Sequence, residues 1–307
     1  MVSLRARVFE LVLPLLGIKR FFSQPDRMDE RIAKMRRAKS PRPGKNVRRD
    51  FAVREDSSRG YPLITLEPLE KAEATGIHLL YFHGGGYVMD IAALHWEAIA
   101  ELCRLTGASA SVPIYPLAPE VTAETTLPAM RALYDELAQQ HGAENIALAG
   151  DSAGGGMALA LAQDVAKDGK PMPGSLTLFS PWVDASASGE GMAAIEPRDK
   201  MLSPQGLKAC GKRYAGGLAL DDTRLSPLFG DLDNLPPTSV FVGTRDILLV
   251  DARRLRERMD AAGRPPIFYR EAEHMQHVWM ILPIPEGKAA LRDAASFIKS
   301  THSGTDT

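Results

Sequence analysis

The run Gly150-Asp151-Ser152-Ala153-Gly154-Gly155 restricts this chain more than any other feature, because it lies between a strand-like stretch, Asn145 to Ala149, and a helix former, Met157 to Ala166. A Gly-x-Ser-x-Gly element in that context is a sharp strand-to-helix turn that lifts a serine hydroxyl into the open. Gly150 and Gly154 flank the serine at two residues each way and have no Cβ to clash as the chain doubles back. A second stretch, His83-Gly84-Gly85-Gly86-Tyr87, ends another apolar run, Ile77 to Phe82. Its bare glycines can present backbone N–H groups to a negatively charged oxygen. Together, in this order and each at the end of a predicted strand, the two stretches point to acyl-transfer chemistry at Ser152. No Gly-Lys-Ser or Gly-Lys-Thr follows either one, and the spacing around Gly150 is not Gly-x-Gly-x-x-Gly, which argues against a nucleotide loop.

The rest of the pattern supplies a scaffold for such a turn. Apolar runs at Ile77–Phe82, Ala108–Ile114, Ile146–Ala149, Leu176–Phe179, Val240–Val242 and Ile267–Tyr269 read as buried parallel strands, preceded by strand-like sequence from about Phe51. Between them lie helix-like stretches at Ala92–Leu105, Pro128–Gln140, Met157–Lys167, Val250–Ala262 and Glu286–Ile298. Strands alternating with helices of this length predict an α/β fold, a mostly parallel doubly wound sheet with helices on both faces. The stretch Ala185 to Asp222, rich in Gly, Ala and Met, interrupts the alternation and reads as an inserted cap. The expected organisation is therefore N-terminal cap helices over 1–50, core over 51–184, a cap insertion over 185–222, and core again over 223–307.

The 307 residues are 45% hydrophobic, enough for a sizeable core, and the formal net charge of −1 gives no basic surplus for nucleic acid. Basic residues between Arg27 and Arg49 read as a solvated helix face and linker. Cys103 and Cys210 make no metal or redox spacing and no disulfide framework; Cys103 sits among apolar helix positions as a core thiol. That suits a reducing compartment, and a cytoplasmic location is expected. Val8 to Ile18 is apolar but short and interrupted by Glu10 and Pro14, so it predicts an amphipathic helix over a pocket rather than a membrane span or signal peptide.

A serine hydroxyl needs a base to remove its proton as it attacks, and histidine is the side chain matched to neutral pH. Of seven histidines, His78 begins a core strand, His83 belongs to the glycine stretch, His95 lies on the following helix, His141 ends a helix, and His302 falls in the polar tail. Only His274 and His277 follow the last predicted strand, where the chain order serine, acid, histidine requires the base. His274, beside Glu271 and Glu273, reads as a solvent-facing loop residue; His277 is preferred. Asp246 follows the strand ending at Val242 and leaves room for one strand and one helix before His277, which fits the acid that fixes the imidazole tautomer. Asp251 opens a helix-like run and reads as an N-cap, and Asp151 reads as a carboxylate that shapes the turn while pointing away from the histidine.

At the two glycine stretches the chain resembles the hormone-sensitive-lipase-like group of α/β-hydrolase carboxylesterases, which carry His-Gly-Gly-Gly and Gly-Asp-Ser-Ala-Gly-Gly. Tyr115-Pro116-Leu117-Ala118-Pro119-Glu120 is similar to that group's Tyr-Arg-Leu-Ala-Pro-Glu, departing at Pro116. Ser180-Pro181-Trp182-Val183-Asp184, Ser226-Pro227-Leu228, Gly243-Thr244-Arg245-Asp246 and Met275-Gln276-His277-Val278-Trp279 also resemble its landmarks. The likeness runs from about Ile77 to Ile298. It implies an α/β-hydrolase core with a helical cap, no cofactor and no metal, and ester hydrolysis through an acyl-enzyme. The expected site is then Ser152, His277 and Asp246, with Gly84, Gly85 and Ala153 donating N–H groups to the oxyanion. The expected partner is a small ester or lactone, with no nucleic acid and no stable membrane insertion; a homodimer is compatible with the chain. An acyltransferase on the same triad is the alternative activity, and a non-catalytic small-ligand receptor on the same fold is the alternative of a different class.

Overall fold

The computed structural model describes residues 2–70, 75–264 and 266–302. Four helices open the chain, α1 (Leu4–Val12), α2 (Ile18–Phe22), α3 (Met28–Met35) and α4 (Lys45–Asp50), and lead into a hairpin, β1 (Phe51–Asp56) and β2 (Leu63–Pro68). Alternation then begins with β3 (His78–Phe82), α5 (Ala93–Thr106), β4 (Ser109–Pro113), α6 (Ala123–His141), β5 (Ile146–Asp151), α7 (Ala153–Lys167) and β6 (Ser175–Phe179). Two cap helices, α8 (Met192–Ile195) and α9 (Pro204–Ala215), intervene before β7 (Thr238–Gly243), α10 (Leu249–Ala261), β8 (Phe268–Ala272) and α11 (Pro285–His302).

The eight strands form one sheet in the order β1-β2-β4-β3-β5-β6-β7-β8. Only β2 runs antiparallel to its neighbours, β1 and β4; the pairs from β4 to β8 are parallel. β3, β5, β6 and β7 are buried along nearly their whole length, which explains their apolar, non-alternating sequences. Helices cover both faces, α5 pairing with α11 and α6 with α7.

Register sets what meets at the carboxyl ends of the strands. Phe82 pairs with Gly150, Asp151 with Phe179, Phe179 with Phe241, and Gly243 with Ala272. The chain segments just beyond those residues therefore emerge side by side at one edge of the sheet, the crevice where open α/β sheets place their ligands.

Three local readings need correction. α6 begins at Ala123, so Pro128 lies inside the helix and not at its start. α7 begins at Ala153, through three glycines that propensity alone disfavours. Packing overrides propensity there: a Cβ on Gly154 would stand 2.0 Å from the Phe82 carbonyl oxygen, and one on Gly156 2.2 Å from that of Trp182. His302 is not in a polar tail but closes α11, 3.1 Å from the Ser175 hydroxyl.

The segment between β6 and β7 leaves and rejoins the core at nearly one point. The Ala185 N–H donates to the Ser226 hydroxyl at 2.7 Å, and the Leu228 N–H to the Val183 carbonyl at 3.0 Å. Its α9 packs on α2: the Ser203 hydroxyl donates to the Phe22 carbonyl at 2.9 Å, and Gly206 leaves the Phe22 backbone no room for a Cβ. The N-terminal helices and the insertion thus form one layer above the sheet edge.

Candidate active site

Ser152 holds φ +53° and ψ −120°, a conformation that L-residues rarely adopt and that turns its side chain out of the strand. The strain is held by hydrogen bonds on both sides: the Ser152 N–H donates to Phe179 at 2.9 Å, and its carbonyl accepts from Trp182 at 2.9 Å. Gly150 permits the turn, because a Cβ there would meet the Gly154 carbonyl oxygen at 2.3 Å.

His277 Nε2 lies 3.0 Å from Ser152 Oγ, and His277 Nδ1 lies 2.8 Å from Asp246 Oδ2. The second carboxylate oxygen of Asp246 accepts the Leu248 N–H at 2.9 Å, which fixes its plane. All three side chains are buried. Burial disfavours the charged imidazole, but the Asp246 charge and hydrogen bond outweigh it and raise the His277 pKa above its ordinary 6.5. The histidine is thereby set to receive a proton. His274 stands apart, exposed and 3.3 Å from Glu273.

Asp151 points away from the imidazole. It accepts the Tyr81 hydroxyl at 2.9 Å and the Gly84 N–H at 3.0 Å, and pairs with His95 Nε2 at 3.2 Å. Burial works against its charge; the His95 charge and the hydrogen bonds from His95 and Tyr81 reverse that and lower its pKa. One expected donor is corrected here. The Gly84 N–H is committed to Asp151 and is not free to receive an oxyanion. Among the described residues, no hydrogen bond engages the N–H of Gly85, Gly86 or Ala153, and all three glycines of the stretch line the pocket with Ser152.

Asp251 is also corrected. α10 starts at Leu249, so Asp251 lies inside its first turn with its side chain buried, beside Asp184 and Arg254. Burial first, and the Asp184 charge second, push its pKa well up, and its place inside the first turn of α10 means that it is not the N-cap.

The pocket above Ser152 has a volume of about 220 Å³. Leu13, Leu16, Ile18 and Phe22 come from the N-terminal helices, Met201 and Leu202 from the insertion, and Val278, Ile281 and Leu282 from the histidine loop. Phe21, Met28 and Met192 are buried outside this lining. Among the described residues, no helix is long and apolar enough to cross a membrane.

The sequence does not single out Asp199, and it marks Gln276 only as a neighbour of His277 in the histidine loop. Asp199 is a buried carboxylate from the insertion, and Gln276 joins that insertion to the histidine loop by accepting the Lys200 N–H at 2.8 Å and donating to the Arg198 carbonyl at 3.0 Å. Only the folded chain reveals these roles.

Residues 79–281 match a family described by the alpha/beta hydrolase fold. The chain is 34% identical over 244 residues to a triacylglycerol lipase of Mycobacterium tuberculosis, an alignment that covers 79% of this chain and only 50% of that lipase. It is 32% identical over 239 residues to an acetyl-hydrolase of Streptomyces hygroscopicus, covering 77% of this chain and 80% of the relative. A hormone-sensitive lipase from a metagenome library superposes with a TM-score of 0.82 at 26% identity, over 98% of this chain and 100% of that one. With the sheet order, the strained serine turn and the Ser152–His277–Asp246 contacts, these likenesses make the chain a member of the α/β-hydrolase fold family, in its hormone-sensitive-lipase-like group.

Proposed function

We propose that the protein is a serine carboxylesterase that hydrolyses short- to medium-chain acyl esters or lactones through a covalent acyl-enzyme. The observation that carries this reading is the unbroken relay Ser152 Oγ, His277 and Asp246, at 3.0 and 2.8 Å. Geometrically this is a nucleophile, its base and the group that orients the base.

In this mechanism Ser152 Oγ attacks the ester carbonyl as His277 Nε2 takes its proton. Asp246 stabilises the imidazolium and holds the tautomer. The carbonyl oxygen, now negative, is received by the N–H groups of Gly85, Gly86 and Ala153, with Gly86 replacing Gly84. Ala153 is the first residue of α7, so the helix N-terminus adds positive potential. Each such donor contributes roughly 3–4 kcal/mol to the transition state. The imidazolium then protonates the departing alcohol, the acyl group stays on Ser152, and water repeats the attack to release the acid. No step requires a cofactor.

Substrate size follows from the cover. A pocket of about 220 Å³ lined by leucine, isoleucine, phenylalanine and methionine suits a short acyl chain, and a charged acyl group would lose its hydration on entry. The name of the Streptomyces acetyl-hydrolase agrees with a small acyl group. A p-nitrophenyl ester series tests the reading: short and medium chains should be turned over faster than long ones, with a burst of p-nitrophenol when deacylation is slow. Product partitioning with added alcohols separates hydrolysis from transfer. Preference for long-chain triglycerides, or no turnover of any ester, would overturn it.

A further inference from the structure

The residues flanking the catalytic acid and base are held by the cap. Asp199, in the insertion, accepts the Met201 and Leu202 N–H groups on Oδ1 at 2.7 and 2.8 Å, and the Ile247 N–H on Oδ2 at 2.9 Å. Met201 and Leu202 are pocket wall; Ile247 directly follows Asp246. One buried carboxylate therefore spans the wall of the substrate pocket and the loop of the triad acid. The same stretch of cap is joined to the residue before His277 through Gln276, whose side-chain amide also donates to Glu10 of α1 at 3.1 Å.

We propose that Asp199 is a positioning residue that seats the cap on the loop of Asp246 and keeps a second negative charge beside the Asp246–His277 pair. This rests on the esterase reading above. Three N–H donors converge on a carboxylate that has no cation in contact among the described residues, an arrangement that favours the anion. Burial and the neighbouring Asp246 charge push its pKa up to about 6, against which the Leu202 and Ile247 N–H groups favour the charged form.

The negative charges that act on the imidazole come from three elements: Asp246 after β7, Asp199 in the cap and, from a side chain turned away, Asp151 at the end of β5. Beyond them, Arg245 pairs with Glu10 of α1 and stands 3.5 Å from His274, while Lys19 of α2 reaches the Leu202 carbonyl and Glu196. Removing the Asp199 charge leaves the imidazolium with less support, so its pKa falls.

The test is the pH dependence of kcat/KM for p-nitrophenyl acetate in wild type, Asp199→Asn and Asp199→Ser. Both variants remove the charge, and serine keeps one acceptor without setting an amide against an N–H. In a folded variant the midpoint of the rise with pH should move down by roughly half a unit or more, and the plateau should fall by about tenfold as the acid loop loosens. A lower plateau with an unmoved midpoint would mean a purely structural contact and would overturn the proposal, as would a wild-type profile. Titration of the His277 ring by NMR in wild type and variants reads the same shift without turnover. A wild type inactive on every ester would therefore sink the esterase reading while leaving this relationship measurable.

Discussion

The N–H of Gly84 donates to the Asp151 carboxylate at 3.0 Å, so the residue before the nucleophile holds the glycine loop that faces the nucleophile. A Cβ at Gly84 would stand 2.3 Å from the other oxygen of that carboxylate, which makes the approach specific to glycine. Asp151→Ala should leave the buried His95 ring, the Tyr81 hydroxyl and the Gly84 N–H without this partner. The expected loss is about 3 kcal/mol of unfolding free energy, against about 1 kcal/mol for Tyr81→Phe. Urea denaturation checks both, and equal losses would show that Asp151 is not the centre of this network.

The base is distinguished by substitution at the two histidines of one loop. His277→Ala should be nearly inactive, because Ser152 loses its proton acceptor. His274→Ala should keep most of its activity, since its side chain is half exposed and meets Arg245 and Glu273, away from Ser152. Steady-state assays on folded variants decide it, and the reverse ranking would transfer the role.

The two carboxylates after β7 should behave differently. Asp246→Asn leaves the wrong imidazole tautomer and should lower kcat by about three to four orders of magnitude. Burial and the Asp184 charge push the Asp251 pKa well up, so Asp251→Asn, nearly the same shape without the ionisable group, should change stability by about 1 kcal/mol or less, with activity retained. Comparable catalytic losses in the two variants would leave the acid unassigned.

Activity should depend on pH through His277. Its pKa is raised above 6.5, and it must be neutral to take the serine proton. kcat/KM on an uncharged ester should therefore be lost as pH falls through a midpoint above 6.5 and level off on the alkaline side. A midpoint well below 6.5 would contradict the electrostatics of the Asp246–His277 pair.

Much of this architecture was legible in the sequence because it rests on local patterns. Fully buried strands such as Ile146–Ala149 are apolar on both faces, and a strained serine turn needs small residues at Gly150 and Gly154. Ser152, His277 and Asp246 could be ordered along the chain because the fold restricts which loops share an edge. The errors have a different origin. Nothing local to Gly84 says that its N–H is spent on a carboxylate 67 residues away. Asp251 has the look of a helix cap, and only the packing of Asp184 and Arg254 around it shows that it is buried, with its pKa pushed up. Asp199 is one of several acids in the insertion, and its importance comes from backbone groups that no side-chain pattern encodes.

The central claim is that Ser152 carries the acyl group. Rapid-quench mass spectrometry of the intact protein with a p-nitrophenyl ester, followed by peptide mapping, tests it most directly. An acyl adduct should form at the rate of the p-nitrophenol burst and map to Ser152, and folded Ser152→Ala should show neither adduct nor turnover. Turnover in wild type with the adduct on another residue, or substantial activity in folded Ser152→Ala, would contradict it.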